Sequence, residues 1–282
     1  EWLHTIVLCW LILLYIGAAV KPVVFFTPNW TPVHQGESVT LSCNVAPTAQ
    51  GNLGYSWYRD GHQISGVQQN LVIQSGTWSD NGKYQCQLGT NDISDPVPLH
   101  FNSDWLILQA PPAVHEGDSL SLRCHSRPGL DAKKPVFYKN GHNVQGFSLS
   151  NQYEVPSTRL EDSGNYTCET PTGSVRKRSS ETHIHIQVLF TNPQINVSSD
   201  QVTEGDAMNV TCDTELSSHR ETTELQFAFY RNGHNVQGFR LSNQYGVPSA
   251  ELEDSGNYTC EVQTPTGSVR KRSNMADIHI QG

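Results

Sequence analysis

Residues 162–168 read Asp-Ser-Gly-Asn-Tyr-Thr-Cys, and residues 254–260 repeat the same seven letters. The repeat extends upstream, because residues 138–168 and 230–260 differ at only five of 31 positions. A looser copy, Asp-Asn-Gly-Lys-Tyr-Gln-Cys, occupies residues 80–86. Repeat units of about 80 to 95 residues have the size of whole domains and are too long for solenoid repeats. The chain is therefore predicted to contain three related domains.

Alternation of apolar and polar residues predicts β-strands in each repeat. Residues 37–43, 118–124 and 207–212 alternate in this way and end in a cysteine. This period of two is typical of a strand with one buried face. An aromatic strand follows in each repeat, around Trp57, Phe137 and Phe229. These patterns predict all-β domains.

The first nineteen residues are predicted to be a secretory signal peptide. Residues 6–16 form an apolar run that is too short to span a bilayer, and Gly17, Ala18 and Ala19 follow it. Cleavage is expected near Ala19; the alternative is a buried core helix. The remaining chain divides into domains at 20–103, 104–188 and 189–282. We expect it at the cell surface or secreted, with membrane attachment only through an anchor outside this chain.

Charge and cysteine content narrow the class of protein. The formal net charge is −9, which argues against a nucleic-acid partner because that needs a basic face. Seven cysteines are present, and Cys9 would leave with the signal peptide. The six that remain would meet an oxidising compartment, where disulfides form, and six cysteines allow 15 connectivities.

The sequence offers no catalytic or cofactor motif. It contains no nucleophile elbow, zinc-protease motif, phosphate-binding loop or dinucleotide fingerprint. His183 and His185 share one face of a predicted strand, with Ile184 and Ile186 facing inward, but no third metal ligand is evident nearby. We expect no enzyme activity, no cofactor and no metal.

The cysteine, aromatic strand and Tyr-x-Cys pattern resembles the immunoglobulin superfamily. The resemblance implies an all-β chain of three tandem immunoglobulin-like β-sandwich domains of the C2/I type, without an extra C′C″ hairpin. It implies that Tyr84, Tyr166 and Tyr258 form tyrosine corners. Trp57 matches the core tryptophan of this fold, and Phe137 and Phe229 replace it in the other domains, so those cores should pack differently. The implied disulfides lie within each repeat: Cys43–Cys86, Cys124–Cys168 and Cys212–Cys260.

Three further stretches resemble Fc receptors and Fc receptor-like proteins. They are Trp-Leu-Ile-Leu-Gln-Ala-Pro (105–111), Leu-Arg-Cys-His-Ser (122–126) and Lys-Pro-Val-Val-Phe (21–25). The resemblance implies a protein ligand, with immunoglobulin Fc as the candidate. In Fc-gamma receptors two tryptophans of the second domain hold a proline of Fc. Trp105 matches one of them, whereas Arg127 stands at the position of the other.

The resemblance also places Gly173, Ser174 and Arg176 in a contact loop between the last two strands of the second domain. Two alternatives stay open. Trp105 could serve packing between domains. Because of Arg127 and the near-duplicate second and third domains, the chain could instead be an adhesion or orphan module that does not bind antibody.

Two basic runs and five sequons mark the predicted surface. The runs, residues 176–178 and 270–272, suit an acidic partner or a solvated strand that resists edge pairing. Sequons predict N-glycosylation in a secreted chain, and they fall at Asn29, Asn165, Asn196, Asn209 and Asn257. Strand alternation predicts that Asn165 and Thr167 face outward.

Overall fold

The computed structural model describes residues 21–45, 53–129, 133–146, 149–172, 174–198, 201–220 and 222–282. The predicted signal peptide and Gly173 lie outside these residues. Within the described part, strands dominate, and no helix is both long and apolar enough to cross a membrane.

Contacts group the described residues into two compact units. The first contains the residues up to Ala113 together with Ser121–Glu154 and Gly164–Ile184. The second contains Val114–Leu120, Val155–Ser163 and His185–Gly282.

The first domain contains nine strands, all in the first unit. They are β1 (Val23–Thr27), β2 (Val33–His34), β3 (Val39–Asn44), β4 (Tyr55–Arg59), β5 (His62–Ile64), β6 (Asn70–Ile73), β7 (Gly82–Leu88), β8 (Val97–Leu99) and β9 (Phe101–Asn102). One sheet has the order β1-β3-β6 and a second has the order β5-β4-β7-β8. A 3₁₀ turn at Trp78–Asp80 precedes β7.

The second domain contains ten strands with the same plan. They are β10 (Leu106–Gln109), β11 (Val114–His115), β12 (Leu120–Ser126), β13 (Val136–Lys139), β14 (His142–Gln145), β15 (Gln152–Val155), β16 (Gly164–Thr172), β17 (Val175–Arg178), β18 (Thr182–Ile184) and β19 (Ile186–Gln187). One sheet has the order β10-β12-β15, and the other has β14-β13-β16-β17 with β18 also paired to β16. A 3₁₀ turn spans Leu160–Asp162.

The third domain also contains ten strands, all in the second unit. They are β20 (Gln194–Val197), β21 (Val202–Thr203), β22 (Met208–Asp213), β23 (Gln226–Arg231), β24 (His234–Arg240), β25 (Gln244–Val247), β26 (Gly256–Gln263), β27 (Arg270–Arg272), β28 (Ala276–Ile278) and β29 (Ile280–Gln281). Its sheets have the orders β20-β22-β25 and β24-β23-β26-β27, with β28 also on β26. Further 3₁₀ turns lie at Ser218–Arg220 and Leu252–Asp254.

A parallel strand pair joins the beginning and the end of each domain. β2 pairs with β9, β11 with β19, and β21 with β29, and all three pairs are parallel. The other strand pairs whose register is described are antiparallel. The aromatic strands are β4, β13 and β23. Each has one further strand on its outer edge, which is β5, β14 or β24. This is the arrangement of C2/I-type domains.

The predicted alternation is visible in the burial of the strands that carry the first cysteines. In β3 the side chains of Val39, Leu41 and Cys43 are buried, and their neighbours along the strand are not. Disulfides join Cys43 to Cys86, Cys124 to Cys168 and Cys212 to Cys260. Each therefore lies within one repeat.

The three cores differ at the position of Trp57, as the sequence predicts. Trp57 is fully buried, and its Nε1 donates to the carbonyl of Gln68 at 2.9 Å. In the second domain Phe137 stacks on Tyr153 at a centroid distance of 5.8 Å. Phe229 stacks on Tyr245 in the third domain at the same distance. A tyrosine from the facing sheet thus supplies the volume that the smaller phenylalanine ring leaves.

Tyrosine corners close the first and third domains. The hydroxyl of Tyr84 donates to the carbonyl of Asp80 at 2.7 Å, and that of Tyr258 donates to Asp254 at 2.8 Å. Burial raises the pKa of both phenols. The protonated phenol is therefore favoured, and only this form can donate the hydrogen bond to the backbone carbonyl.

Candidate ligand-binding surface

Strand β17 presents its basic side chains on two faces. It pairs with β16 so that Arg178 stands opposite Glu169 and Lys177 opposite Thr170. Successive side chains of a strand point to opposite sides of the sheet. Lys177 therefore points to one side, and Arg176 and Arg178 point to the other, although all three are exposed.

The two arginines share one carboxylate. Nη1 of Arg176 lies 3.2 Å from Oε1 of Glu169, and Nε of Arg178 lies 3.4 Å from Oε2 of the same residue. The guanidinium of Arg178 also lies over the Tyr138 ring, 4.6 Å from its centroid. Both guanidinium groups are exposed on this outer face, and basic groups of this kind can attract an acidic partner.

Trp105 lies on the other side of β17. Its carbonyl accepts a hydrogen bond from the backbone N–H of Arg127 at 3.1 Å. The ammonium of Lys177 lies over its indole ring, 5.5 Å from the centroid. The ring is half-buried, while the Arg127 side chain is exposed. A cation at this distance from an indole face is attracted by the ring's quadrupole.

The structure thus separates the residues that the sequence grouped as one site. Trp105 and Arg127 are joined through their backbones, and Lys177 brings β17 against Trp105. Arg176 turns to the opposite face, and Ser174 is exposed in the turn before β17. Gly173 lies outside the described residues. Lys177 belongs to the basic run 176–178, but the sequence did not pair it with Trp105; strand alternation within the run was the signal that could have separated Lys177 from Arg176 and Arg178.

The sequence left open the alternative that Trp105 serves packing between domains. Both partners, Arg127 and Lys177, belong to the second domain. These contacts position the indole within its own domain, next to exposed basic side chains.

The third domain repeats the outer face of this surface. Nε of Arg270 lies 3.7 Å from Oε1 of Glu261, and the hydroxyl of Tyr230 donates to Oε2 of Glu261 at 3.0 Å. Arg272 lies over the Tyr230 ring at 5.1 Å. Burial, followed by the hydrogen bond to Glu261, raises the pKa of Tyr230.

Lys271 is the third-domain counterpart of Lys177, but its surroundings differ. Its ammonium lies 2.7 Å from Oε2 of Glu116 and donates to the carbonyl of Phe190 at 2.7 Å. The ammonium also lies 5.0 Å from the centroid of the Phe190 ring, and the side chain is only 14% exposed. This lysine is occupied by internal partners, whereas its counterpart beside Trp105 is accessible.

A pair of histidines lies close to the start of the second domain. His34 is buried, its Nε2 lies 3.2 Å from the carbonyl oxygen of His125, and the two rings are 4.9 Å apart. Nε2 of His125 lies 2.7 Å from Oε1 of Glu37. Among the described residues the Nδ1 atom of His34 has no hydrogen-bond partner. Burial is the main reason that the pKa of His34 lies below its usual value.

Four of the predicted glycosylation sites have accessible side chains. Asn29, Asn165, Asn196 and Asn257 are exposed, and Asn209 is half-buried. Thr167 was expected to face solvent, but its exposed fraction is only 8%. It stands opposite Tyr138 in the sheet, and Arg178 lies over the Tyr138 ring, so these two large side chains account for its burial.

Comparison with known proteins places these features in a family. The immunoglobulin domain family matches residues 21–101, 105–186 and 192–280. Human Fc receptor-like protein 3 is 32% identical over 290 residues, which cover 97% of this chain and 38% of that protein. Mouse Fc receptor-like B is 34% identical over 270 residues, which cover 93% of this chain and 62% of that protein. The chain belongs to the Fc receptor-like family of the immunoglobulin superfamily.

One relative of this Fc receptor-like chain carries a ligand in its name. Human low affinity immunoglobulin gamma Fc region receptor III-B is 37% identical over 163 residues, which cover 57% of this chain and 69% of that protein. The chain spans less than two thirds of the length of the two Fc receptor-like relatives described above.

Proposed function

We propose that this chain is part of the extracellular region of an immune cell-surface receptor and that its second domain binds a protein ligand, with immunoglobulin Fc as the candidate. The observation that carries the proposal is the accessible arrangement of Trp105 and Lys177. It lies in the domain where the resemblance to Fc receptors is most specific. Tryptophan is one of the side chains that most often dominate protein interfaces, and the ammonium of Lys177 beside it adds an attraction for an acidic ligand group.

Similarity to a receptor named for immunoglobulin gamma Fc supports the choice of ligand. Arg127 modifies the expected site, because it replaces one aromatic wall with a cation. Arginine can stack on an apolar ring, and its guanidinium can also bind a carboxylate through two hydrogen bonds. The ligand for such a surface combines an apolar group for Trp105 with an acidic group for Lys177 or Arg127.

The second candidate function is adhesion or immune regulation without antibody binding. Arg127 favours it, because a proline held between two indoles would lose one of them. Interface anchors often contribute about 2 kcal/mol or more to binding. Under this hypothesis the same surface binds a different acidic protein.

Direct binding of the purified chain to immunoglobulins and Fc fragments tests the proposal. We expect saturable Fc binding that Trp105→Ala abolishes. Trp78→Ala is the matched control, since Trp78 is 72% exposed in the first domain and its loss should leave affinity unchanged. Binding to no isotype would reject Fc as the ligand, and equal effects of the two substitutions would reject the Trp105 surface.

The basic run of β17 tests which face of the strand binds the ligand. Lys177 lies over the Trp105 ring, whereas Arg176 points to the opposite face and pairs with Glu169. Lys177→Ala should therefore weaken ligand binding several-fold, and Arg176→Ala should not. The reverse result would move the site to the opposite face of the strand.

A further inference from the structure

A cavity of about 350 Å³ opens at the surface of the first unit. Its lining includes Pro32, Pro98 and His100 from the first domain, and Glu181 and His183 from the second. This volume lies within the range of small-ligand sites.

The cavity wall has the mixed character that suits a sugar. Pro32, Pro98 and Ile107 offer apolar surface, whereas His100, Asn102 and Glu181 offer hydrogen-bonding groups. A pyranose has an apolar face of C–H groups and a rim of hydroxyls, so it can use both kinds of group at once. Few charged groups are present, which disfavours a strongly ionic ligand.

The side chain of Asn165 is attached to the rim of this cavity. Its Nδ2 donates to Oε2 of Glu181 at 3.1 Å, and its Oδ1 lies 2.8 Å from Nδ1 of His183. Because a carboxamide oxygen only accepts, Nδ1 of His183 is the donor. Both Glu181 and His183 line the cavity. The atom that would carry a glycan is therefore one hydrogen bond away from the cavity wall.

We propose that this cavity holds the first sugars of an N-linked glycan on Asn165. Attachment replaces one N–H of the carboxamide by a bond from Nδ2 to C1 of N-acetylglucosamine. The lipid diphosphate of the oligosaccharide donor departs, and the amide proton passes to the transferase. The remaining N–H and the Oδ1 acceptor can keep the asparagine at the rim. The proposal rests on occupancy of the Asn165 sequon and does not depend on the ligand of the second domain.

The third domain provides a matched internal control. Asn257 lies in the same heptapeptide as Asn165 and is also exposed. Its partner across the sheet is Asp277, whereas Asn165 stands opposite His183. Neither Asn257 nor Asp277 lines the cavity. A glycan on Asn257 therefore lacks this wall, although its local sequence is identical.

Enzymatic deglycosylation of the native chain tests the proposal. The chain is secreted from mammalian cells and treated with peptide N-glycosidase in ¹⁸O-labelled water, and the two sites are followed by mass spectrometry. The peptides are distinguishable because Glu169-Thr170 follows one sequon and Glu261-Val262 the other. Asn165 should lose its glycan several-fold more slowly than Asn257, and the difference should vanish after denaturation.

Hydrogen exchange provides an independent measurement. Asn165→Gln should raise exchange in residues 97–102 and 180–184, which border the cavity, because the sugars no longer cover them. Asn257→Gln should leave these segments unchanged. Equal deglycosylation rates, an unmodified Asn165, or identical exchange in the two variants would each overturn the proposal.

Discussion

Glu116 and Lys271 form an ion pair of 2.7 Å between positions 155 residues apart. Their side chains are 11% and 14% exposed. Removing one member of a buried pair leaves the other charge without compensation and costs about 3 kcal/mol or more. We expect Lys271→Met to reduce the stability of the second compact unit, which contains both residues, by this amount.

The second-domain copy is the control for this prediction. Lys177→Met removes only a cation over an indole ring, which contributes about 1 kcal/mol or less at an exposed site. Hydrogen exchange of β26 and of β16 measures the two domains separately. Equal losses in the two variants would contradict the assignment of Lys271 to a buried ion pair.

The first domain should lose stability in mild acid through His34. Its pKa is lowered in the folded chain, mainly by burial, so the unfolded chain binds the proton more readily. The contribution is fully present above the unfolded pKa, about 6.5, and is lost as the pH falls from there through the lower folded pKa. Protonation would also place a charge beside His125 and near Glu37, while Arg123 lies 3.1 Å from the far nitrogen of His125.

Thermal unfolding between pH 7.5 and 5.5 measures the effect. His34→Gln should flatten the dependence of melting temperature on pH. His62→Gln is the matched control, because His62 is exposed in the same domain. If the melting temperature of His34→Gln depends on pH as strongly as that of the unmodified chain, another group is responsible.

Alanine should be tolerated less well at Gly117 than at Gly36. Both have positive φ values, +82° and +90°. A left-handed backbone costs a residue with a Cβ about 1 to 2 kcal/mol. A Cβ at Gly117 would also lie 2.7 Å from Cγ2 of Val269, whereas nothing lies within 4 Å at Gly36.

We therefore expect Gly117→Ala to cost about 1 to 3 kcal/mol more than Gly36→Ala, as overpacking does. Calorimetric unfolding provides the comparison. Val269→Ala in the Gly117→Ala background should recover part of the extra loss. No recovery would mean that the contact with Val269 is not its cause.

The core of the first domain should accommodate a phenylalanine at position 57 and a tyrosine at position 71, which is the aromatic pair of the other two domains. Trp57→Phe alone leaves a cavity and should cost about 2 kcal/mol. Leu71 lies in the strand that corresponds to the one carrying Tyr153, and it packs against the first core. Adding Leu71→Tyr should refill the space, so the double variant should be more stable than the sum of the single changes predicts.

A double-mutant cycle measured by circular dichroism tests this coupling. We expect an interaction energy of about 0.5 kcal/mol or more in the stabilising direction. Additive effects would show that the tyrosine ring does not replace the lost volume.

Local patterns predicted the fold well because each domain repeats a strong period-two signal. Ile184 and Ile186 are buried and His183 and His185 exposed, as alternation predicts. Thr167 departs from the pattern because neighbouring large side chains cover an outward position, which spacing alone does not show. The domain boundaries proposed from sequence remain a prediction.

The candidate site was harder to predict because it depends on tertiary partners. Lys177 and Lys271 lie in the same string, Val-Arg-Lys-Arg-Ser. One ammonium lies over Trp105, and the other pairs with Glu116. Identical local sequence thus leads to an accessible cation in one domain and an internal one in the other. Only the residues brought close by folding distinguish them.

The parallel pairs at the domain ends have a mechanical consequence. A force that pulls the two ends of one domain apart slides the first strand of the pair along the last. The bridging hydrogen bonds then carry the load together, as between Val33 and His100 at 2.8 Å, Glu116 and Gln187 at 2.9 Å, and Glu204 and Gln281 at 2.7 Å. An antiparallel hairpin pulled open at its free end would lose its bonds one at a time. Each domain is thus arranged to bear tension along the chain in shear.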